Sequence, residues 1–580
     1  MKPRAVDQTL LVRALNSTKQ SYFPSYVGLR LVAESLASDT SSYLQRLLLR
    51  RLKAHDKWGY KSFQLYKGTK LLNGRQEHEY RDCLAPSPST ALAGALILGS
   101  LAKSPAFRVS PRVYSYRWPA SANSGSSFRF FAEGYKARNN DIFNALHGSD
   151  RIAVVTDIKR FYPSAHKTQI QQNLYDLLRS SPAKHDLDGF SNFFEQLLSA
   201  GGGGIPIGPA PGHLLGHVAL KNVDQKLEAK YGAAYFRYVD DIVVVCEKAD
   251  GNDVLANIRE GVESSNFELN TLKTEFLNKD DWRGSMLKSD VSEGDDFRSF
   301  TRDLSIYLAL FPDRAQKLSA LLVNAGLSVP LNRLKILASY SPFLYFVRRW
   351  NKSTGVFGTL RLLSLDLDYF LNRGLGLKKR YEESLAEICT EPEYSPHLRR
   401  WKIQRARRVL NTLFYLRSFS EWKNSEEIFS LFPELVEQAA LVSSLRTGEV
   451  NFILPFFGQA PAAFSELWQE HGKGAAMLKP ELELDDPKMS SLVLLRLHGV
   501  IAEADLPPIS EGNERRLLSA TSDQSPTSRT HSDLSFEDEF ESLRLGTSGK
   551  KISELAKTRY SISEGSPLEA LSLFGSEYLS

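Results

Sequence analysis

Two carboxylates stand side by side inside an otherwise apolar stretch, Phe236-Arg237-Tyr238-Val239-Asp240-Asp241-Ile242-Val243-Val244-Val245. Two short apolar runs around an acidic pair predict a strand–turn–strand hairpin with Asp240 and Asp241 at its tip. Adjacent acids repel, so such a tip is buried only with a counter-charge, and a divalent cation supplies one. The plain alternative is a solvated turn. Which reading holds depends on what else the chain brings to the pair.

Upstream, the Val- and Ile-rich run from Ile152 ends in Asp157-Ile158-Lys159-Arg160-Phe161-Tyr162-Pro163-Ser164. It reads as a buried strand that terminates in an acid and then breaks into a helix. An acid at the end of a central strand is costly to bury unless it is paired or bound to a metal. An Asp paired with an Arg, or capping a turn, is the alternative. Between these segments lies Gly201-Gly202-Gly203-Gly204-Ile205-Pro206-Ile207-Gly208-Pro209, followed at once by an apolar helix. Glycine lets a backbone approach a ligand closely, although a simple Gly/Pro-rich loop has the same composition. Downstream comes Phe267-Glu268-Leu269-Asn270-Thr271-Leu272-Lys273-Thr274-Glu275.

In order and spacing these segments resemble the catalytic motifs of reverse transcriptases: the strand ending at Asp157 as motif A, the Ile205–Pro209 loop as motif B, Tyr238–Asp241 as motif C and the Asn270–Lys273 string as motif D. The Phe-Tyr-Pro-Ser form of motif A, the Ile-Pro-Ile-Gly-Pro form of motif B and Arg237 before motif C resemble the prokaryotic abortive-infection (Abi) and related defence-associated enzymes. Ile207 stands where retroviral and group II intron enzymes carry glutamine. No retron hallmark or primer-grip string follows, and residues 279–296 read as acidic and loop-like. The resemblance covers roughly residues 100–280. It implies an α+β fold, a right-hand-like fingers/palm core (101–297), followed by a mostly α-helical, repeat-like C-terminal domain (298–506).

The resemblance also implies roles. Asp157, Asp240 and Asp241 form the catalytic set, and together with the Ile158 carbonyl they hold two Mg²⁺ ions, with Mn²⁺ as a substitute. Such cations stabilise the attacking and leaving oxygens of in-line nucleotidyl transfer. Tyr162 becomes the ring that excludes a ribose 2′-hydroxyl, beside Phe161, Ile207 and Gly208, and Lys273 faces the leaving pyrophosphate. Tyr238 contacts the primer end, or only packs in the hairpin. From the residues alone, Arg112–Arg117 and Phe128–Phe131 alternate aromatic and basic side chains, which predicts a hairpin with a charged face. Arg117 and Arg129 are its candidates for the triphosphate. An ordinary exposed strand is the alternative.

Net charge is only +6, so affinity for RNA or DNA has to come from local patches. One is Arg399, Arg400, Arg405 and Arg408 around Trp401; a second is Arg46, Arg50, Arg51 and Lys53 on a Leu-rich helix. A solvated amphipathic helix is the competing reading of the first. The 3 cysteines make neither a metal spacing nor a disulfide framework. With no secretory or membrane-spanning stretch in view, a cytoplasmic location is expected. Residues 1–100 read as mostly helical, and 507–580 as a largely disordered Ser-rich tail with short helices near 534–543 or 552–555.

Three functions follow. The first is an RNA-directed or template-independent DNA polymerase acting in antiviral, anti-phage defence. Its partners would be dNTPs, an RNA or DNA product and an associated non-coding RNA, with homo-oligomers open. Its primer would be a protein tyrosine (Tyr22, Tyr26, Tyr43, Tyr560 and Tyr578 are available) or a nucleic-acid end. The second is a templated reverse transcriptase of a mobile element, group II intron- or retron-like. The third is an inactive scaffold, against which the intact trio of acids argues.

Overall fold

Two antiparallel sheets organise the chain. Strands β1 (Tyr60–Leu72) and β2 (Arg75–Pro86) form a long hairpin. Strands β3 (Arg151–Asp157), β4 (Tyr235–Tyr238), β5 (Asp241–Glu247) and β6 (Glu275–Leu277) form a four-stranded sheet in the order β4-β5-β3-β6. The rest is mostly helix, so the fold is α+β with small antiparallel sheets. The computed structural model describes residues 3–18, 22–35, 43–72, 75–120, 124–129, 131–148, 150–180, 187–288, 292–331, 365–390, 396–424, 426–472, 474–479, 483–502, 535–544 and 547–557. None of the described helices is long and apolar enough to cross a membrane.

The apolar runs explain the sheet. Ile152, Ala153 and Val154 on β3, and Ile242, Val243, Val244 and Val245 on β5, are all buried. Both sheet faces are therefore covered, and the strands read as continuous rather than alternating apolar segments. Helix Ala210–Tyr231 buries Leu214, Leu215, Val218, Val223 and Leu227. Helix Gly251–Glu263 joins β5 to the β6 region and buries Val254, Ile258 and Val262, a four-residue repeat along one helical face. One apolar core spans these elements and the N-terminal helices, and a second fills the helices of residues 297–501.

A third, smaller core joins the chain's extremes. It gathers Tyr22, Phe23, Tyr26 and Val27 of helix Phe23–Ser35 and its approach, Phe63, Cys83 and Ala85 of the hairpin, and Phe457, Val493 and Leu494. Phe536, Phe540 and Ile552 complete it. Residues 535–544 and 547–557, within the stretch that composition reads as a disordered tail, thus hold helices Phe536–Arg544 and Gly549–Lys557. Phe536, Phe540, Ile552 and Leu555 are fully buried, the first three in this third core. Glu539 adds a polar anchor: its carboxylate accepts from the Ser89 backbone N–H at 2.6 Å and from the Ser87 and Ser89 hydroxyls at 2.7 Å. These donors lie at the start of helix Pro88–Leu101, so Glu539 satisfies one backbone N–H that a helix start leaves unpaired, along with two hydroxyls.

Two other expectations change. Residues 60–86 are a hairpin rather than part of a helical region, and Phe63 packs edge-on to Phe457. The overlooked signal is Asn73-Gly74, the dipeptide that two-residue hairpin turns favour. Residues 279–296 are not loop-like, because helices Lys279–Lys288 and Ser292–Leu310 cover most of them. The first is anchored by buried Trp282, whose indole N–H donates to the Asn139 carbonyl.

Candidate active site

The four-stranded sheet brings the acids together. Asp157, the last residue of β3, pairs in register with Asp241, the first residue of β5. Partners across an antiparallel ladder share a face at roughly 4.5–5.5 Å between α-carbons, so the two carboxylates are neighbours. Asp240 precedes Asp241 in the turn from β4 to β5, and its carbonyl accepts from the Ile158 N–H at 3.3 Å. Asp157 and Asp240 are 3% and 9% exposed. Burial, and then the charges of Asp157 and Asp241, push the Asp240 carboxyl well above the usual carboxylate range. Burial also raises Asp241, to about 6, against the opposing pull of Arg138.

The turn is strained and braced. Val239 sits at φ 54°, a left-handed conformation that β-branched residues rarely adopt. Its N–H donates to the Ser115 hydroxyl at 2.9 Å, and its carbonyl accepts from the Arg237 guanidinium. Arg237 is itself fully buried and makes a two-pronged pair with Asp224, at 2.6 and 2.7 Å. The same carboxylate accepts from the Tyr235 hydroxyl at 2.6 Å. Helix Ala210–Tyr231 is thereby tied, through Asp224, to the strand that presents the acids.

Two cations flank the acids. Arg138, from helix Phe131–Ala145, reaches Asp241 Oδ2 at 3.5 Å and lies over the rings of Tyr135 and Tyr238. Lys273 Nζ stands 3.4 Å from Asp157 Oδ2. The Asn270 side-chain amide donates to that same oxygen at 3.2 Å, and the Asn270 N–H donates to the Asp157 carbonyl at 2.7 Å. The remaining oxygens, Asp157 Oδ1 and Asp240 Oδ1, are buried without a hydrogen-bond partner. Two orphaned carboxylate oxygens on neighbouring strands fit a hard cation. Among the described residues, no three His, Cys, Asp or Glu side chains enclose a metal ion by themselves. Mg²⁺ is suited to such an open set, because it usually takes one or two carboxylates and completes its shell with water and substrate phosphates.

The glycine-rich segment packs against the first acidic strand's exit. The Ile205 N–H donates to the Tyr162 carbonyl at 2.8 Å, and a Cβ on Gly204 would lie 2.6 Å from that same oxygen. At Gly208, φ is +119° and a Cβ would meet the Leu84 carbonyl at 2.4 Å. The Leu84 N–H donates to the Ile207 carbonyl at 2.7 Å. Ile207 and Gly208 are thus docked on β2, with the Ile207 side chain packed against the first and third cores. Phe161 and Tyr162 are buried; Phe161 packs on Phe267, and the Tyr162 hydroxyl meets His213 Nδ1 at 3.1 Å. His213 stacks on Tyr116 at 3.7 Å, and burial pushes its imidazole down to about 3.

Other expected site residues lie in structural roles. Segments 112–117 and 128–131 do not form the expected regular hairpin. Val113 makes a single bridge to Arg237, and the Arg129 N–H donates to the Arg117 carbonyl. Arg117 donates to the Val113 and Pro111 carbonyls and stacks on Tyr114, while Arg129 donates to the Trp118 carbonyl. Both hold the local backbone. The Tyr238 hydroxyl donates to the Phe131 carbonyl at 3.0 Å and its ring packs on Tyr135. In the basic helix Pro396–Leu416, Arg399 pairs with Glu434 at 2.9 Å, and Arg405 with Ser384 and Glu387. The helix carrying Arg408 is therefore cross-linked to its neighbours; the side chains of Arg400 and Trp401 lie outside the described residues. In the second patch, Arg51 pairs with Asp56 and lies over Trp58. Of the candidate primers, Tyr22 and Tyr26 are buried in the third core, while the Tyr43 side chain, Tyr560 and Tyr578 are outside the described residues.

No protein-family model matches the chain, and no curated protein is significantly similar to it. The residue contacts therefore carry the functional reading. Arg138, Asp224 and His213 are its additions to the residues singled out by sequence, and Asn270, already within the motif D string, gains a contact to Asp157. Arg138, His213 and Asn270 act across 50 residues or more of chain, and Asp224 across 13.

Proposed function

We propose that the chain is a metal-dependent nucleotidyltransferase of the reverse-transcriptase type, adding dNTPs to a growing strand, with residues 101–297 as its fingers/palm core. The observation that carries this reading is the pair of buried, partnerless oxygens on Asp157 and Asp240 at the ends of adjacent elements. A scaffold gains nothing from buried acids that repel one another, and a protein seldom keeps such a cost without a use.

Asp157 and Asp240, with the Ile158 carbonyl, would hold Mg²⁺. When bound, the ions stabilise charge on the attacking and leaving oxygens of an in-line displacement. Asp241, steadied by Arg138, adds negative charge at the rim. Burial lowers the Lys67 ammonium on the β1–β2 hairpin; Glu79 opposes that shift, and the charges of Arg81, Lys273 and Lys70 add to it. The Lys273 ammonium beside Asp157 suits an anionic polyphosphate facing metal-binding acids. The role in antiviral defence rests on the motif resemblance alone.

The test is labelled dNTP incorporation with Mg²⁺, run with primed RNA and with no added nucleic acid, for wild type and Asp157→Ala. Wild type is expected to build labelled polymer and the variant none. Label that stays with the denatured protein identifies a tyrosine primer; label freed by boiling in detergent identifies a nucleic-acid primer. A wild type that adds no nucleotide to primed RNA, with Mg²⁺ or Mn²⁺, overturns the reading.

A further inference from the structure

Lys273 sits where its charge answers the acids. Its ammonium is 3.4 Å from Asp157 Oδ2, and its charge also acts on Asp240 and Asp241. Arg138 reaches only the Asp241 side of the cluster. Three carboxylates are thus opposed by two side-chain cations, of which Arg138 is the buried one and Lys273 the more accessible, with side chains 5% and 28% exposed. Asn270 grips the same Asp157 oxygen from the other end of the turn and leaves Oδ1 without a partner.

A divalent ion drawn to Asp157 Oδ1 and Asp240 Oδ1 would add two positive charges within a few ångström of the ammonium. Like charges that close destabilise each other strongly in a partly dry site. Asn270 is neutral and has no reason to leave. Lys273 does: it ends a single 3₁₀ turn, residues 271–273, whose Leu272 is 94% exposed. Leu272 makes no core contact that would oppose a shift of Lys273, while Asn270 and Thr274 keep the ends of the turn on Asp157 and Thr156.

We propose, resting on the metal-centre reading above, that Lys273 is a counter-cation of the three acids and that a divalent ion displaces it. Asn270 is a positioning residue that keeps the Asp157 carboxylate turned for the ion. Metal occupancy is thereby coupled to the 270–274 turn, and the Lys273 side chain offsets part of the charge of the acids until an ion replaces it.

The experiment is Mn²⁺ binding to the full chain, followed by electron paramagnetic resonance at fixed ionic strength without nucleotide. Because a partly exposed ion pair is worth up to about 1 kcal/mol, Lys273→Met is expected to bind Mn²⁺ roughly three- to fivefold more tightly than wild type. Lys273→Arg is expected to match wild type, Asn270→Ala to bind more weakly and Asp157→Asn to lose the site. Were wild type and Asp157→Asn to bind alike, the metal-centre reading would fail and this inference with it. If Asp157→Asn loses the ion while Lys273→Met binds it no more tightly, the counter-cation role alone is overturned. Should Lys273→Met fail to fold, amide exchange in wild type decides: Mn²⁺ should speed exchange across residues 269–277, and unchanged or slower exchange contradicts displacement.

Discussion

Val239 shows how much of this chain's stability is committed to one turn. A non-glycine residue in the left-handed region costs about 1–2 kcal/mol, and here the Ser115 hydroxyl and the Arg237 guanidinium hold it in place. Arg237 is 1% exposed and its partner Asp224 is buried. Removing one member of such a pair strands the other charge, so Arg237→Met should cost about 3–5 kcal/mol in urea unfolding. A loss below about 1 kcal/mol would show that the pair does not brace the turn. Asp240 carries the opposite sign. Burial raises its carboxyl in the folded chain, so its contribution is favourable below the ordinary carboxylate range and is lost as pH rises through the folded value. In the presence of a chelator, Asp240→Asn should therefore stabilise the protein by about 1–3 kcal/mol near pH 8, with the gain shrinking toward pH 4. A variant less stable than wild type at the higher pH would contradict this. The acids themselves were legible in sequence, because apolar strands ending in Asp are hard to explain otherwise. Arg138 was not, because a basic residue on an amphipathic helix has many ordinary uses.

At the scale of elements, the loop 201–209 is held by contacts that leave no room for a side chain. Gly204 meets the backbone of Tyr162 and Pro163, and Gly208 meets that of Leu84. Gly204→Ala has to move the Phe161–Ser164 helix and Gly208→Ala the β2 strand. Each should lower the midpoint of thermal unfolding, by several degrees for about 2–3 kcal/mol. Gly202→Ala is the control: no atom lies near its Cβ, and only its φ of +71° opposes the change, so a loss of about 1 kcal/mol is expected. Equal losses at all three positions would show that the close contacts of Gly204 and Gly208 do not set them apart from Gly202. Sequence conveyed that this loop is shaped, from its density of Gly and Pro. It could not convey that Ile207 and Gly208 dock on the hairpin, since that contact spans more than 100 residues. The hairpin is a different case: its Asn73-Gly74 signal is local, and only packing partners such as Phe457 lie far along the chain.

Across the whole molecule, the third core closes the chain on itself, from Tyr22 to Ile552. Composition conceals this, because helix Phe536–Arg544 is acidic and brief, and its two buried phenylalanines count for little in a Ser-rich stretch. Phe540→Ala should cost about 3–5 kcal/mol, the usual loss for a fully buried ring, and Glu539→Ala about 1–2 kcal/mol for the lost cap. Unfolding curves unchanged by both would show that residues 535–544 do not contribute to the fold. Because Ile207 packs against this core, truncation before residue 535 should also speed amide exchange across 205–212. The account as a whole depends on Asp157 and Asp240 acting on nucleotides, and the most direct measurement compares wild type with Asp240→Asn for Mg²⁺-dependent addition of labelled dNTP to a primed RNA. The asparagine keeps the side chain's shape and removes its charge, so the account predicts extension by wild type and a loss of at least about a thousandfold in the variant. Extension at similar rates by both proteins would contradict it.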